Sequence, residues 1–200
     1  MVSVYSEKKG KVWFGVAFED EQIYATSFGS NENRVLRELK ESFPPDASAR
    51  ALQFPERTPF AEQVIRVLEN VFNGKDDSHM FDFNMKRLPN YTRKVIDAVC
   101  QIPAGYVASY GGVAKAVGGS PRAVGNVMAR NPFAPLCPCH RVVTSDLRLG
   151  GYGGGLDVKL AFLRREQRGH KSKKMLEIDH GKMELIPVEY VFEKLKKDKR

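Results

Sequence analysis

The densest chemistry in this chain sits at residues 137–140, which read Cys137-Pro138-Cys139-His140. Three uses of these groups compete. A zinc or iron–sulfur site would take Cys137, Cys139 and His140, but it needs a fourth ligand. Beyond them only Cys100, His79, His170 and His180 remain, and they offer no second ligand pair. A buried structural thiol is the commonest fate of a cysteine; it suits Cys100, on the apolar side of its helix, and Cys137. The third use makes Cys139 a nucleophile, with His140 as the base that helps form its thiolate. An odd, sparse set of three cysteines is no disulfide framework.

The elements that must hold such a site are readable. Residues 2–6, 11–18 and 22–28 are rich in β-branched and aromatic residues, with turns at Gly10 and at Glu19-Asp20-Glu21, which predicts a three-stranded antiparallel meander. Val35, Leu36 and Leu39 predict a helix over 31–43, capped by Asn31 or Asn33 and stopped by Pro44-Pro45. A second helix over 58–72 opens on Thr58-Pro59 and ends at Asn73-Gly74. Residues 75–78 read as a polar turn, Phe81-Asp82-Phe83 as a short strand, and 87–90 as a linker that divides a first domain, 1–88, from a second, 89–170. In the second, a helix over 91–101 precedes two short helices: 110–117, capped by Ser109, and one capped by Ser120 with Pro121 at its first position, running to about Arg130. Gly118-Gly119 joins them, the pattern of a helix-turn-helix. A glycine-rich loop over 149–156 and a helix over 157–167 follow. Residues 171–200 form a basic extension, with Val188, Val191, Phe192 and Leu195 at helical spacing.

With 200 residues, 42% hydrophobic and 28% charged, the chain is of globular composition. Its longest uncharged stretch, 98–114, is interrupted by Gln101, Pro103, Gly105 and Ser109, so no membrane span is expected. The N-terminus shows no basic leader with an apolar stretch, and a cytoplasmic location is expected, or a nucleoid-associated one, or a nuclear one if the source is eukaryotic. The net charge of +8 is uneven: residues 1–92 carry −2, 93–158 carry +4 and 159–200 carry +6. A polyanionic partner would therefore meet the second half. Small and polar residues on the second short helix (Ser120, Arg122, Ala123, Gly125, Asn126, Ala129 and Arg130) suit close approach to DNA.

Pro138-Cys139-His140-Arg141-Val142 resembles the active-site signature of the O6-alkylguanine-DNA alkyltransferases. The resemblance continues in order through Ile102-Pro103, Gly105, Ser109-Tyr110-Gly111, Val113-Ala114, Pro121-Arg122-Ala123-Val124-Gly125, Met128, Asn131-Pro132 and Gly154-Gly155-Leu156 to Glu166. It covers residues 90–168 closely and the first ninety only in general layout.

The resemblance implies an α+β protein: a small N-terminal ribonuclease-H-like domain with a three-stranded antiparallel sheet and helices, then a mostly helical winged helix-turn-helix domain carrying the active site. It implies Cys139 as alkyl acceptor, His140 as base through a water, Glu166 as the group that orients the histidine, and Tyr110 as donor to the guanine ring nitrogen. Carbonyls of Cys139 and Val142 would accept from the exocyclic amine. Arg122 would fill the gap left by a flipped base, with Ser120, Ala123, Gly125, Asn126, Arg130 and Tyr110 also at the DNA. Asn131 would be a structural hinge. Met128, Val142, Tyr152, Gly153 and Gly154 would line the base pocket.

No cofactor and no metal are expected. The expected partner is double-stranded DNA carrying O6-alkylguanine, with O4-alkylthymine as a further candidate, and the protein is expected to act as a monomer. Thioether formation is irreversible, so one molecule would repair one lesion. A non-catalytic lesion sensor of the alkyltransferase-like kind is the alternative, as is an alkylation-responsive regulator. The sensors replace the reactive cysteine, and Cys139 is present. Departures from the family pattern are Gly153 where serine is frequent, Asn126 where glycine is common, Cys137, the absence of N-terminal zinc ligands, and the stretch from Lys171 onward, which has no family counterpart.

Overall fold

A computed structural model describes residues 2–42, 57–76 and 81–198. Phe43, Pro44-Pro45, His79 and part of the expected 75–78 turn lie outside them. The chain divides into two compact units: residues 1–72, 77–87 and 132–136 form the first, and 73–76, 88–131 and 137–200 the second.

In the first unit the meander forms as expected. Strands β1 (Ser3–Lys9), β2 (Val12–Glu19) and β3 (Gln22–Gly29) pair antiparallel in the order β1-β2-β3. Glu19 pairs with Gln22, so Asp20-Glu21 is a two-residue hairpin turn. Both take positive φ (48° and 59°), the twist a tight hairpin demands. Residues 14–18 of β2 are buried without alternation, because β2 is central and both its faces are covered. Helix α1 (Glu32–Glu41) places Val35 and Leu39 against Val4, Ala17 and Ala25. Asn31 caps it by accepting from the Arg34 N–H. Helix α2 (Pro59–Phe72) is capped by Thr58, whose hydroxyl accepts from the Ala61 N–H. Its Phe72 packs edge-on to Phe14 and Phe28.

The short strand expected at 81–83 is reduced to a single parallel bridge between Ile23 and Phe83. Residues 132–136 also pack here. Pro132 O and Ala134 O accept from the Thr26 N–H and hydroxyl at 2.8 and 2.9 Å, and Phe133 stacks on Phe83 with ring centroids 4.4 Å apart. The first unit is thus discontinuous in sequence, where a continuous 1–88 was expected.

The second unit contains α3 (Asn90–Cys100), β4 (Tyr106–Ser109), α4 (Tyr110–Val117), α5 (Pro121–Ala129), a 3-10 turn (Cys139–Arg141), β5 (Val142–Val143) and α6 (Leu156–Arg165). Ser109 and Ser120 accept from the N–H groups of Gly112 and Ala123, so both expected caps form. Between α4 and α5, Gly118 and Gly119 take φ of +86° and +94°. A Cβ on Gly119 would lie 2.6 Å from the Tyr91 hydroxyl, which fixes glycine at this turn.

Within the expected basic extension, residues 171–198 are folded. They form β6 (Lys174–Ile178), β7 (Gly181–Pro187) and α7 (Val188–Lys197). β7 pairs antiparallel with β4, β5 pairs parallel with β4, and the sheet runs β5-β4-β7-β6. The helix at 188–197 was readable from its spacing. The hairpin was missed because β6 is an edge strand with no buried residue, and Lys171, Lys173 and Lys174 read as solvated charge. No described helix is long and apolar enough to cross a membrane.

Candidate active site

Cys139 opens the 3-10 turn that leads into β5. The turn is held by the Cys139 N–H donating to Cys137 O and the Arg141 N–H to Pro138 O, both at 2.8 Å. Asn131, two residues beyond α5, donates from Nδ2 to Cys137 O at 2.9 Å, so the end of α5 is bonded to the segment carrying the thiol. Cys139 is 6% exposed and His140 not at all.

Helix α6 supplies one whole face of this site. Lys159, Phe162, Leu163 and Glu166 recur at i, i+3, i+4 and i+7, and all are buried. Phe162 stacks on the His140 ring at 4.5 Å between centroids, fixing its plane. Glu166 Oε1 lies 2.9 Å from His140 Nε2 and accepts from Arg141 Nη2 at 2.8 Å. Arg141 also donates to Ile102 O at 2.5 Å and to Asp76 Oδ1 at 3.2 Å.

These contacts decide protonation. Burial opposes the Glu166 charge, but His140 and Arg141 outweigh it and hold the carboxyl at about 2. Glu166 is therefore an acceptor only. His140 Nε2 must carry the proton in that bond, leaving Nδ1 as the bare lone pair. Nδ1 is buried without a hydrogen-bond partner among the described residues. Burial holds His140 below the ordinary histidine value despite the pull of Glu166, so the ring is neutral at pH 7. Burial likewise raises the Cys139 thiol, against lowering contributions from Asn131 and Lys159. The resting site is a thiol beside a neutral imidazole that a carboxylate orients.

Lys159 is the group that the sequence reading missed. Its Nζ donates to Val142 O and Leu149 O at 2.5 Å each and to Gly151 O at 3.4 Å. Burial lowers it to about 8. Its position on the apolar face of α6, with Phe162 and Leu163, was the available signal. Arg141 was missed too, although it stands between His140 and the apolar pair Val142-Val143.

Tyr110, the first residue of α4, donates to Gly151 O at 3.3 Å. Gly150, with φ of +68°, passes so close that a Cβ would lie 2.9 Å from the Tyr110 ring. Burial first, then the nearby Cys139, push the Tyr152 hydroxyl well above the usual tyrosine range. Gly153 is open, with nothing near the place of a Cβ, whereas a Cβ on Gly154 would lie 3.0 Å from the Tyr152 ring. The carbonyls of Cys139 and Val142 each already accept one bond, from the Val142 N–H and from Lys159, and each keeps a second lone pair.

Cys139, His140, Glu166, Tyr110, Tyr152, Asn131 and Val142 thus converge. The residues of α5 form a different surface: Arg122, Asn126 and Arg130 are exposed at i, i+4 and i+8, Ala123 and Gly125 flank them, and Ser120 caps the helix. Met128, expected in the base pocket, is 8% exposed on the opposite side with Val124 and Val127. Among the described residues, no cluster of three or more His, Cys, Asp or Glu is placed to hold a metal ion.

Comparison with known proteins agrees with this arrangement. The family described as 6-O-methylguanine DNA methyltransferase, DNA binding domain, matches residues 90–168. A methylated-DNA–protein-cysteine methyltransferase of Methanothermobacter thermautotrophicus is 46% identical over 76 residues, covering 38% of this chain and 43% of that protein. One of Methanosarcina barkeri is 38% identical over 117 residues, covering 56% of this chain and 72% of that protein. The match therefore spans less than half of the first relative and about seven-tenths of the second. The crystal structure of the O6-methylguanine-DNA methyltransferase of Pyrococcus kodakaraensis superposes with a TM-score of 0.64 at 28% identity, covering 83% of this chain and 99% of that one. With its thiol, imidazole and carboxylate in this order, the chain belongs to the methylated-DNA–protein-cysteine methyltransferase family.

Proposed function

We propose that the protein repairs DNA by moving an alkyl group from O6 of guanine to its own Cys139, once per molecule. The observation that carries this reading is the buried trio itself: a raised thiol, a neutral His140 with Nδ1 free, and Glu166 fixed on Nε2. His140 Nδ1 takes the Cys139 proton through a bridging water, and Glu166 stabilises the imidazolium that results. The thiolate sulfur attacks the alkyl carbon in line. The carbon–O6 bond breaks, its electron pair stays with the purine, and Tyr110 donates a proton to the ring nitrogen. The Tyr110 hydroxyl, bonded to Gly151 O in the resting protein, turns to the base for this step.

A base inside a duplex does not reach a thiol that is 6% exposed, so the guanine must be extruded. The exposed stripe Arg122, Asn126 and Arg130 suits a helix laid on DNA, with Arg122 near its start available to fill the gap. Tyr152 and Gly153-Gly154 would close over the extruded base. Double-stranded DNA carrying O6-alkylguanine, with O4-alkylthymine as a second candidate, is the proposed partner.

Intact mass after incubation with an oligonucleotide duplex carrying O6-methylguanine tests the proposal. One added methyl per molecule, mapped to Cys139, is expected. A methyl on Cys137 or Cys100, or repeated turnover, overturns it.

A further inference from the structure

The segment from Lys171 onward has no use in the reaction above, yet it is built into the unit that carries the site. Val188 and Val191 of α7 are fully buried. With Ile186 of β7 they join Val107 of β4, Val143 of β5 and Leu163 of α6 in one apolar cluster. Against that cluster pack Leu147 and Leu149, together with Tyr190, Phe192 and Leu195 of α7. Leu147 and Leu149 belong to the stretch between β5 and the glycine-rich loop.

A polar tie runs beside the apolar one. Arg148 Nε donates to Asp198 at 3.1 Å, and Lys194 Nζ donates to the same carboxylate at 2.7 Å. The turn that presents Arg148 is closed by the Thr144 N–H donating to Arg148 O and the Leu147 N–H to Thr144 O, both at 3.0 Å. Leu147 is held at φ of +64°, a backbone state that leucine rarely adopts and that surrounding contacts must enforce. One residue further, Leu149 O is held by Lys159, and Gly151 O by Tyr110 and Lys159.

We infer that the β6–β7–α7 segment positions the base-pocket loop: α7 fixes the 144–149 turn, and that turn sets where Gly150 to Gly154 stand over the thiol. Its residues are positioning residues, acting through Leu147 and Leu149 and touching neither thiol nor base. This rests on the alkyl-transfer reading only for its effect on base binding. An exposed Arg148–Asp198 pair contributes little by itself, so the apolar contacts carry the device.

Leu195→Ala in the full chain tests it, with Leu195→Met as the conservative control and Asp198→Asn as a surface change that does not threaten folding. Amide hydrogen exchange, read well below the melting temperature, should speed up at residues 147–154 by about tenfold in Leu195→Ala. Amides of 139–143 should stay as in the parent, and Leu195→Met should restore protection. With O6-benzylguanine as probe, the half-saturation concentration should rise several-fold, while the rate at saturation stays near that of the parent. Asp198→Asn should change the same amides in the same direction, but less. Unchanged exchange at 147–154, or an equal increase throughout the second unit, overturns the inference. A parent protein that ignores O6-benzylguanine would sink the repair reading instead, and the exchange data would still decide this one.

Discussion

Glu166 Oε1 accepts both from His140 Nε2 at 2.9 Å and from Arg141 Nη2 at 2.8 Å, so one buried carboxylate orients the base and neutralises a buried cation. This double duty changes what a substitution there should do. Glu166→Gln should slow alkyl transfer by roughly 10²–10⁴-fold, the range of positioned acid–base help. It should also lower the melting temperature, because Arg141 keeps its charge and loses its main partner. His140→Ala should slow transfer at least as much. The double variant should be far from additive, since the two act as a unit. Single-turnover kinetics on a methylated duplex, read well below each melting temperature, checks this; a Glu166→Gln protein reacting at the parent rate would end the relay.

The pH dependence follows from the same pair. His140 is held below the ordinary value of about 6.5. Transfer should therefore be insensitive to acidification until the pH falls below that value, then decline as the ring protonates and loses its free lone pair. Stability should fall in the same direction. Below about 6.5 the unfolded chain takes up a proton that folded His140 refuses, and below about 4.3 it takes up another that Glu166, held at about 2, refuses. A rate or melting temperature that rises on acidification from pH 7 to 5 would contradict this assignment.

Lys159→Met should leave the His140–Glu166 bond in place but release three carbonyls, Val142 O, Leu149 O and Gly151 O. Base binding should weaken by about tenfold or more, in line with the worth of charge-assisted bonds. In the parent, half-saturation by O6-benzylguanine should rise above pH 8, where Lys159 loses a proton and keeps two donors for three acceptors. The Met variant should show no such rise. Titrating both proteins between pH 7 and 9 separates the outcomes.

Arg122→Ala should slow repair of a lesion in duplex DNA far more than reaction with free O6-benzylguanine, because only the duplex leaves a gap to fill. Its exposure on α5 makes a folding defect an unsuitable explanation. Equal losses on the two substrates would remove Arg122 from the intercalating role.

Much of this architecture was legible in the chain. The meander showed in β-branched and aromatic runs separated by turn residues, and the α4–α5 pair in two serine caps and a Gly-Gly break. What periodicity hid were elements whose stability is tertiary. Lys174 to Ile178 bury nothing fully and form a strand only because β7 is already paired to β4. Phe81-Asp82-Phe83 alternates like a strand, yet one bridge to Ile23 is all that the edge of β3 accepts there. At the site, Cys139, His140 and Glu166 were read from a signature. Lys159 and Arg141 escaped because a buried cation looks like surface charge until its acceptors are known. Those acceptors are carbonyls and two carboxylates, up to 65 positions away.

The place of residues 132–136 also governs how the protein is made. The Thr26 N–H and hydroxyl find their acceptors at Pro132 and Ala134, and Phe133 supplies the ring that stacks on Phe83. A ribosome that has released the first ninety residues has therefore released a sheet whose β3 edge is covered only at Ile23, with Thr26 unpaired there and one aromatic partner missing. Closure waits for about fifty more residues, and pairings of such long sequence separation form late. During that interval β3 is a partly open edge beyond Ile23, the kind of surface that recruits chaperones or a neighbouring chain. A fragment cut at residue 88 would be frozen at that stage of synthesis.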